Sequence, residues 1–364
     1  MKFLANTLLA LVLGACATAV TARTLVVGQV AELSGLANAD ENALGARLWF
    51  DHASVQGPHR YVVKALDDQR DPKQTVLQTR KLVEEDKVVA LFGYRSTPSL
   101  SAVAPLLEEL QIPLVGPYNG SESVRTKGGN WMFFLRATYQ DEISRLVEHV
   151  RVTGIRNVAI VHQQDPFGTE QSKAFATTLE AAGIKPANIY SYDRKTLDTK
   201  DVIQGLTDTR PQAVLMACTS QACASIIKKI RETNEKMMFL TLSNAVNDEL
   251  LQSIAKVGRG VLMSQVMPFP WNSNVAIVKE FDRLNKAAKV KVPVSHAALE
   301  GFASAKLLTI AATKAGPQAD ASRIAEVLRT TGPIDLGGIV YSPMTKGGRY
   351  VDLTMVSRDG RLIR

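Results

Sequence analysis

The chain has 364 residues, 46% hydrophobic and 21% charged, with a formal net charge of +8. That is ordinary globular composition, and the length suggests two domains, each large enough to bury its own core. The lysines fall in short local groups, such as Lys228-Lys229 and Lys286, Lys289 and Lys291. No aromatic-interleaved basic stripe accompanies them, which argues against a nucleic-acid partner.

The N-terminus is expected to lie outside the fold. Met1-Lys2 is followed by a mainly apolar run from Phe3 to Ala15 and by small residues ending in Val20-Thr21-Ala22. This is the pattern of a secretory signal cleaved after Ala22. The rival reading is Leu13-Gly14-Ala15-Cys16, a lipoprotein box with Cys16 as the lipidated residue. Lys2 is the only charged residue before Arg23, so the mature chain keeps +7 of the +8. No later run approaches the roughly 20 apolar residues of a membrane helix. Cleavage at Ala22 leaves Cys218 and Cys223, whose C-x4-C spacing admits a disulfide or two free thiols. No further Cys or suitably spaced His completes a zinc set, so no metal is expected.

In chain order, Leu25–Val30 reads as a buried strand ending in the polar loop Glu32-Leu33-Ser34-Gly35. A helix over 42–54 follows, with Ala43, Leu44 and Leu48 on its apolar side. Tyr61–Leu66 is a second strand ending at Asp67-Asp68-Gln69, and Pro72 opens a helix where its missing N–H has no partner to lose. The strand 88–92 runs into Gly93-Tyr94-Arg95-Ser96-Thr97-Pro98-Ser99. Leu100, Val103, Leu107 and Leu110 then fall at helical spacing, and Leu114-Val115 feeds a second polar loop through Tyr118, Asn119 and Ser121. Trp131–Leu135 is a further strand, and Thr138 lies in the capping region of the helix after it.

A second series begins with the strand 158–161 and its loop His162 to Gly168. Strands are expected at 188–192, 213–216, 238–242 and 261–263, separated by helices. The third strand of this series ends in Ala217-Cys218-Thr219-Ser220 and the fourth in Ser243-Asn244. Helices return at 274–286, 295–314 and 322–329, and strands at 339–341 and 350–356 close the chain. Alternation of this kind means parallel sheets covered on both faces. The expected fold class is therefore α/β, with two lobes facing each other across a cleft where a ligand binds.

Reactive signatures are missing. There is no phosphate loop, no G-x-G-x-x-G fingerprint, no G-x-S-x-G elbow and no H-E-x-x-H. The five His, at 52, 59, 149, 162 and 296, show no ligand spacing. His162 near Asp165, with Ser96 or Ser121 across a cleft, is the one arrangement that imitates a Ser–His–Asp set, and an exported hydrolase is the remote alternative. What the strand ends do offer is hydrogen-bonding and aromatic groups. Arg95, Ser96, Thr97, Tyr118, Asn119 and Ser121 lie in the first series, and Phe167, Thr219, Ser220, Ser243 and Asn244 in the second. Hydroxyls and free backbone N–H groups hold a carboxylate, and rings supply apolar walls. The set suits binding without catalysis, and no cofactor is expected.

Several marks recur in a characteristic order: Leu33-Ser34-Gly35, Asp67-Asp68-Gln69 with Asp71-Pro72, Gly93 with Ser96-Thr97, Ile112-Pro113-Leu114 with Pro117, Asp165 with Phe167-Gly168, and Gly332-Pro333 with Asp359-Gly360. With them the chain resembles the periplasmic substrate-binding proteins of the branched-chain amino acid (leucine/isoleucine/valine-binding) type, which serve ABC transporters. The resemblance implies a type I periplasmic binding fold, two Rossmann-like lobes with a hinge of three strand crossings near 137–138, 267–268 and 336–337. Lobe one then takes 24–137 plus 269–335, and lobe two 138–268 plus 336–364. It also implies a monomeric receptor that closes on a small solute, an amino acid or organic acid, and docks on a membrane permease. The same fold serving a kinase or chemoreceptor is the alternative.

Residue by residue, Ser96 and Thr97 match the loop that binds the ligand carboxylate. Asn119 and Ser121 match positions that hold its amino and carboxyl groups, Phe167 an aromatic that closes from lobe two, and Thr219 and Ser220 the lining of that lobe. Ser243 stands where amino-acid binders of this type carry an acid against the ligand ammonium. With Arg95 in the carboxylate loop, that departure leaves an organic acid, an aromatic carboxylate or an amide open beside an amino acid.

Overall fold

The computed structural model describes residues 23–32, 40–345 and 347–364. The expected signal segment, Cys16 and the Leu33-Ser34-Gly35 mark lie outside them.

Strand β1 (Arg23–Ala31) lies inside the first sheet because it is apolar on both faces, with Leu25, Val27 and Val30 buried. It pairs in parallel with β2 (His59–Asp67) and β3 (Ala90–Phe92). β4 (Leu114–Val115) and β5 (Met132–Phe133) complete the order β2-β1-β3-β4-β5, parallel throughout. The helices between these strands are α1 (Glu41–Gln56), α2 (Pro72–Glu84), α3 (Thr97–Glu109) and α4 (Glu122–Gly128).

The second lobe opens with α5 (Tyr139–Val152), started by a capping box in which Thr138 and Asp141 satisfy each other's end of the helix. Then come β6 (Val158–Gln163), α6 (Pro166–Ala181), β7 (Asn188–Tyr192), α7 (Lys200–Thr209), β8 (Ala213–Ala217), α8 (Ser220–Arg231), β9 (Met238–Thr241), α9 (Asp248–Ile254) and β10 (Leu262–Gln265). The chain returns to lobe one for α10 (Ala276–Ala287), α11 (His296–Lys314), α12 (Ala321–Thr330) and the hairpin of β11 (Ile334–Asp335) with β12 (Val340–Tyr341). It ends in lobe two with β13 (Asp352–Val356) and β14 (Leu362–Ile363). The second sheet has the order β14-β13-β10-β9-β8-β6-β7, parallel except that β13 and β14 join it antiparallel. The chain thus has the α/β architecture its alternating pattern predicts.

Each sheet carries a core on both faces. In lobe one, α1, α10, α11 and α12 cover one face and α2 and α3 the other. In lobe two, α7, α8 and α9 cover one face and α5 and α6 the other. Leu336, Ile339 and Tyr341 belong to the first core, and the Tyr341 hydroxyl donates to the Leu328 carbonyl at 2.7 Å. The expected boundary at Leu336 therefore falls too early, and the third crossing lies between Tyr341 and Asp352. The first and third crossings are tied together by the Gly348 N–H, which donates to the Leu135 carbonyl at 2.9 Å.

One contact fixes the start of α1 relative to the rest of lobe one. A Cβ on Gly45 would lie 1.8 Å from the Ala298 carbonyl oxygen, and one on Gly301 would lie 1.8 Å from that of Asn42. Only glycine lets α1 and α11 approach this closely.

Candidate functional site

A cavity of about 510 Å³ lies between the lobes, at the carboxyl ends of the strands of both sheets. Open α/β sheets place ligands at this position, and the volume suits a small molecule.

The lobe-one wall comes from the loops after β3 and β4. Ser96 is held at φ +69°, one of the few non-glycine residues in that region, and makes no side-chain cap bond to α3. Its hydroxyl stays free while the first turn of α3 presents N–H groups that have no partner inside the helix. Thr97 and Asn119 are buried and pre-positioned. The Asn119 Nδ2 donates to the Thr97 hydroxyl at 3.1 Å, and its Oδ1 accepts from the Ser121 N–H at 2.9 Å. Two guanidinium groups lie over the Tyr118 ring, Arg95 4.4 Å and Arg136 4.6 Å from its centroid. Burial pushes its phenol up to about 12, so it stays neutral, although both arginines act the other way.

The lobe-two wall comes from the loops after β6, β8 and β9. Phe167 packs edge-on against Tyr139, ring centroids 5.2 Å apart. Thr219 caps α8, its hydroxyl accepting from the Ala222 N–H, while its own N–H donates to the Tyr192 hydroxyl at 3.0 Å. The Ser220 hydroxyl donates to the Ala245 carbonyl at 2.9 Å. Of the two thiol states open from the sequence, the structure holds the disulfide. Cys218 and Cys223 are bonded, Cα atoms 5.8 Å apart, across the turn that carries Thr219 and Ser220.

Arg95, Ser96, Thr97, Tyr118, Asn119, Phe167, Thr219 and Ser220 all line the cavity, and Ser121 and Ser243 do not. The Ser121 hydroxyl caps α4 and donates to the Glu170 carboxylate of α6 at 2.8 Å, a bond from one lobe to the other. Ser243 opens a short 3-10 turn and faces back toward α5. Its N–H and hydroxyl donate to Glu142 at 2.8 and 3.0 Å, and it accepts from Arg136.

Arg136 sits on the first crossing, fully buried, 3.5 Å from Glu300 of lobe one and 3.8 Å from Glu142 of lobe two. Burial opposes its charge, but Glu300, Tyr139 and Glu142 outweigh that and hold its pKa above the ordinary range. Burial lifts Glu300 to about 7, against the pull of Arg136.

Residue reading alone did not single out Asp40, Glu41, Tyr139, Gln163, Arg194 or Asn247 as cavity residues. The only signal was an acidic pair at the start of α1, directly after the first polar loop. Acids in a first turn are common for helix-dipole reasons, which masked it. The Ser–His–Asp alternative is not assembled. The His162 Nδ1 lies 3.0 Å from the Gln163 carbonyl oxygen, and His162 is not part of the cavity lining. Asp165 caps α6 through the Gly168 N–H at 2.8 Å, and Ser121 is engaged with Glu170. Among the described residues, no group of three or more His, Cys, Asp or Glu is placed to hold a metal ion, and no helix is long and apolar enough to cross a membrane.

Two α/β lobes around a shared cavity define a two-lobed solute-binding protein. A family model described as periplasmic binding protein matches residues 24–362, and the chain belongs to that family. A substrate-binding periplasmic protein from Ralstonia solanacearum is similar at 28% identity with a TM-score of 0.88, over 93% of this chain and 99% of that one. A branched chain amino acid ABC transporter protein from Thermus thermophilus, solved with bound valine, shares the fold at 14% identity and a TM-score of 0.82, over 94% and 95% of the two chains. The expected type I periplasmic binding fold is therefore the fold of this protein. Among curated proteins, an amino acid binding protein of Pseudomonas aeruginosa is 24% identical over 215 residues, 58% of this chain and 57% of that protein. A receptor-type adenylate cyclase B of Leishmania donovani is 26% identical over 156 residues, 41% of this chain and 12% of that protein. The chain spans less than two thirds of the length of either of these relatives.

Proposed function

We propose that the protein is an exported, monomeric receptor that captures a small carboxylate-bearing solute in the interlobe cavity and delivers it to the permease of an ABC transporter, working in the periplasm. The observation that carries this is the pairing of a cavity between two lobes with the free Ser96 hydroxyl and the Thr97 and Ser99 N–H groups, which have no partner inside α3. Family membership and the amino acid binding relative support the solute class. Two bonds between the lobes, Ser121 to Glu170 and the Asp248 N–H to Glu41, fit a cleft that closes as a hinge. The test is thermal shift and small-angle scattering of purified protein across amino acids and organic acids. A ligand that compacts the protein and raises Tm supports the proposal; absence of both across the panel removes it.

A second reading, a sensory receptor signalling to a kinase or chemoreceptor, is favoured by the similarity to the receptor-type adenylate cyclase. Loss of solute uptake in a deletion strain supports transport, and intact uptake with a lost response supports sensing.

A further inference from the structure

Among the described residues, three basic side chains reach the cavity, and each already has an acid. Arg70 pairs with Glu32, Arg95 with Asp40 at 3.5 Å, and Arg194 with Asp165 at 3.5 Å. Two of the other acids that line it have hydrogen-bond donors. Asp68 accepts from the Thr75 hydroxyl at 2.8 Å and from the Arg70 N–H at 3.1 Å, while Asp248 lies exposed and accepts from Gln252 at 2.6 Å.

Glu41 differs from all of them. It is 4% exposed, and its Oε1 accepts one bond, from the Asp248 N–H at 3.0 Å. Its Oε2 is buried with no partner. Among the described residues, no Lys, Arg or His lies within ion-pair distance of it. The Asp40 Oδ2 beside it, and the Asn244 Oδ1 from lobe two, are also buried without partners. All three residues line the cavity. A buried carboxylate without a compensating donor is costly, and the positive end of α1 offsets only part of that. Arg95, which also lines the cavity, is already stacked on Tyr118 and paired with Asp40. Three acceptor oxygens without partners, on three residues that line one cavity, are complementary to a group that is rich in N–H and positively charged.

We infer that Glu41, with Asp40 and Asn244 around it, is the site for a cationic nitrogen of the solute, an ammonium or guanidinium group. The solute is then an amine, with its carboxylate at the Ser96–Thr97 end, and not a plain organic acid. The cation is held by lobe one, on a helix start fixed by the Gly45 and Gly301 contacts. This rests on the receptor reading above and narrows it.

The test has two arms. In the first, the small molecule released from denatured, freshly purified protein is identified by mass spectrometry. In the second, calorimetry compares the common L-amino acids, agmatine and putrescine with the nitrogen-free acids L-lactate, L-2-hydroxyisocaproate, L-phenyllactate and succinate, on wild type, Glu41→Gln and Glu41→Asp. A ligand bearing a basic nitrogen, bound about 30-fold or more weakly by Glu41→Gln and partly rescued by Glu41→Asp, is the expected result. A nitrogen-free ligand, or affinity within about threefold of wild type in folded Glu41→Gln, overturns the inference and leaves the receptor standing. If Glu41→Gln does not fold, the wild-type comparison decides: a hydroxy acid that binds as tightly as its amino acid overturns the inference. No released molecule and no binding in either series overturns both the inference and the receptor.

Discussion

Two buried glutamates teach opposite lessons. Glu142, in the first turn of α5, is fully buried and accepts from the Ser243 N–H, the Ser243 hydroxyl and the Ser264 hydroxyl, with Arg136 3.8 Å away. Glu41, in the first turn of α1, is nearly as buried and accepts a single bond. Both are acids at the positive end of a helix, and the sequence does not separate them. What separates them is whether the surrounding chain has supplied every partner. Glu142 is completed by the protein and holds the lobe together, while Glu41 is left open toward a cavity.

The comparison is broken or sharpened by a graded set of measurements. The largest effect is expected at Glu142. Replacing it with Ala strands three donors and leaves Arg136 with Glu300 alone, at a cost of about 3–5 kcal/mol in urea unfolding. Glu41→Gln, measured the same way without ligand, should stay within about 1 kcal/mol of wild type, because it removes an uncompensated charge. Equal losses at the two sites would erase the distinction.

Next is a pair of opposed pH slopes. Burial lifts Glu300 from 4.5 to about 7, so between those values the folded protein holds a proton that the unfolded chain has released. Its contribution to stability therefore falls as pH rises through that window. Burial lowers His296 from 6.5 to about 3, so there the unfolded chain holds the extra proton and stability rises with pH. The two offset each other between 4.5 and 6.5. Glu300→Gln should expose the rising slope and His296→Gln the falling one, each at most about 1.4 kcal/mol per pH unit, read from urea midpoints across the range. Parallel profiles in the two variants would remove the assignment.

Comparable in size is Gly301→Ala. Its methyl would meet the Asn42 carbonyl, pushing α1 from α11 at about 1–3 kcal/mol and weakening ligand binding through Glu41. Unchanged affinity would show that the helix start need not be held. The smallest is Ser121→Ala, which removes a bond to Glu170 at about 1 kcal/mol. Because Ser121 is outside the cavity lining, the loss should be shared by all ligands alike. A loss confined to one ligand would place the hydroxyl on that ligand.

The periodic elements were legible because burial on both faces of a parallel sheet leaves runs such as Leu25–Val30 and Ala213–Met216. α4 and α9 were not, since seven residues carry less than two turns of pattern and their starts rest on caps at Ser121 and Asn247. Of the hairpin only β12 was expected, within 339–341; β11 escaped because two residues carry no alternation, which moved the third crossing. All the candidate site residues but Ser121 and Ser243 line the cavity, because polar and aromatic residues at strand ends of a parallel sheet point to it. Ser243 fails that rule because the chain turns immediately after β9 and aims the side chain at Glu142. Glu41 was invisible because an acid in a first helical turn has a sufficient local explanation, and only its orphaned oxygen in three dimensions sets it apart.

The covalent link between Cys218 and Cys223 bears on when the lobe-two surface acquires its shape. A free turn loses conformational entropy as it meets a solute, and that loss is drawn from the affinity. Here Thr219 and Ser220 are enclosed in a small ring, so their ordering belongs to oxidative folding and is complete before any encounter. On the proposed receptor function, capture then needs only the approach of one finished surface to another.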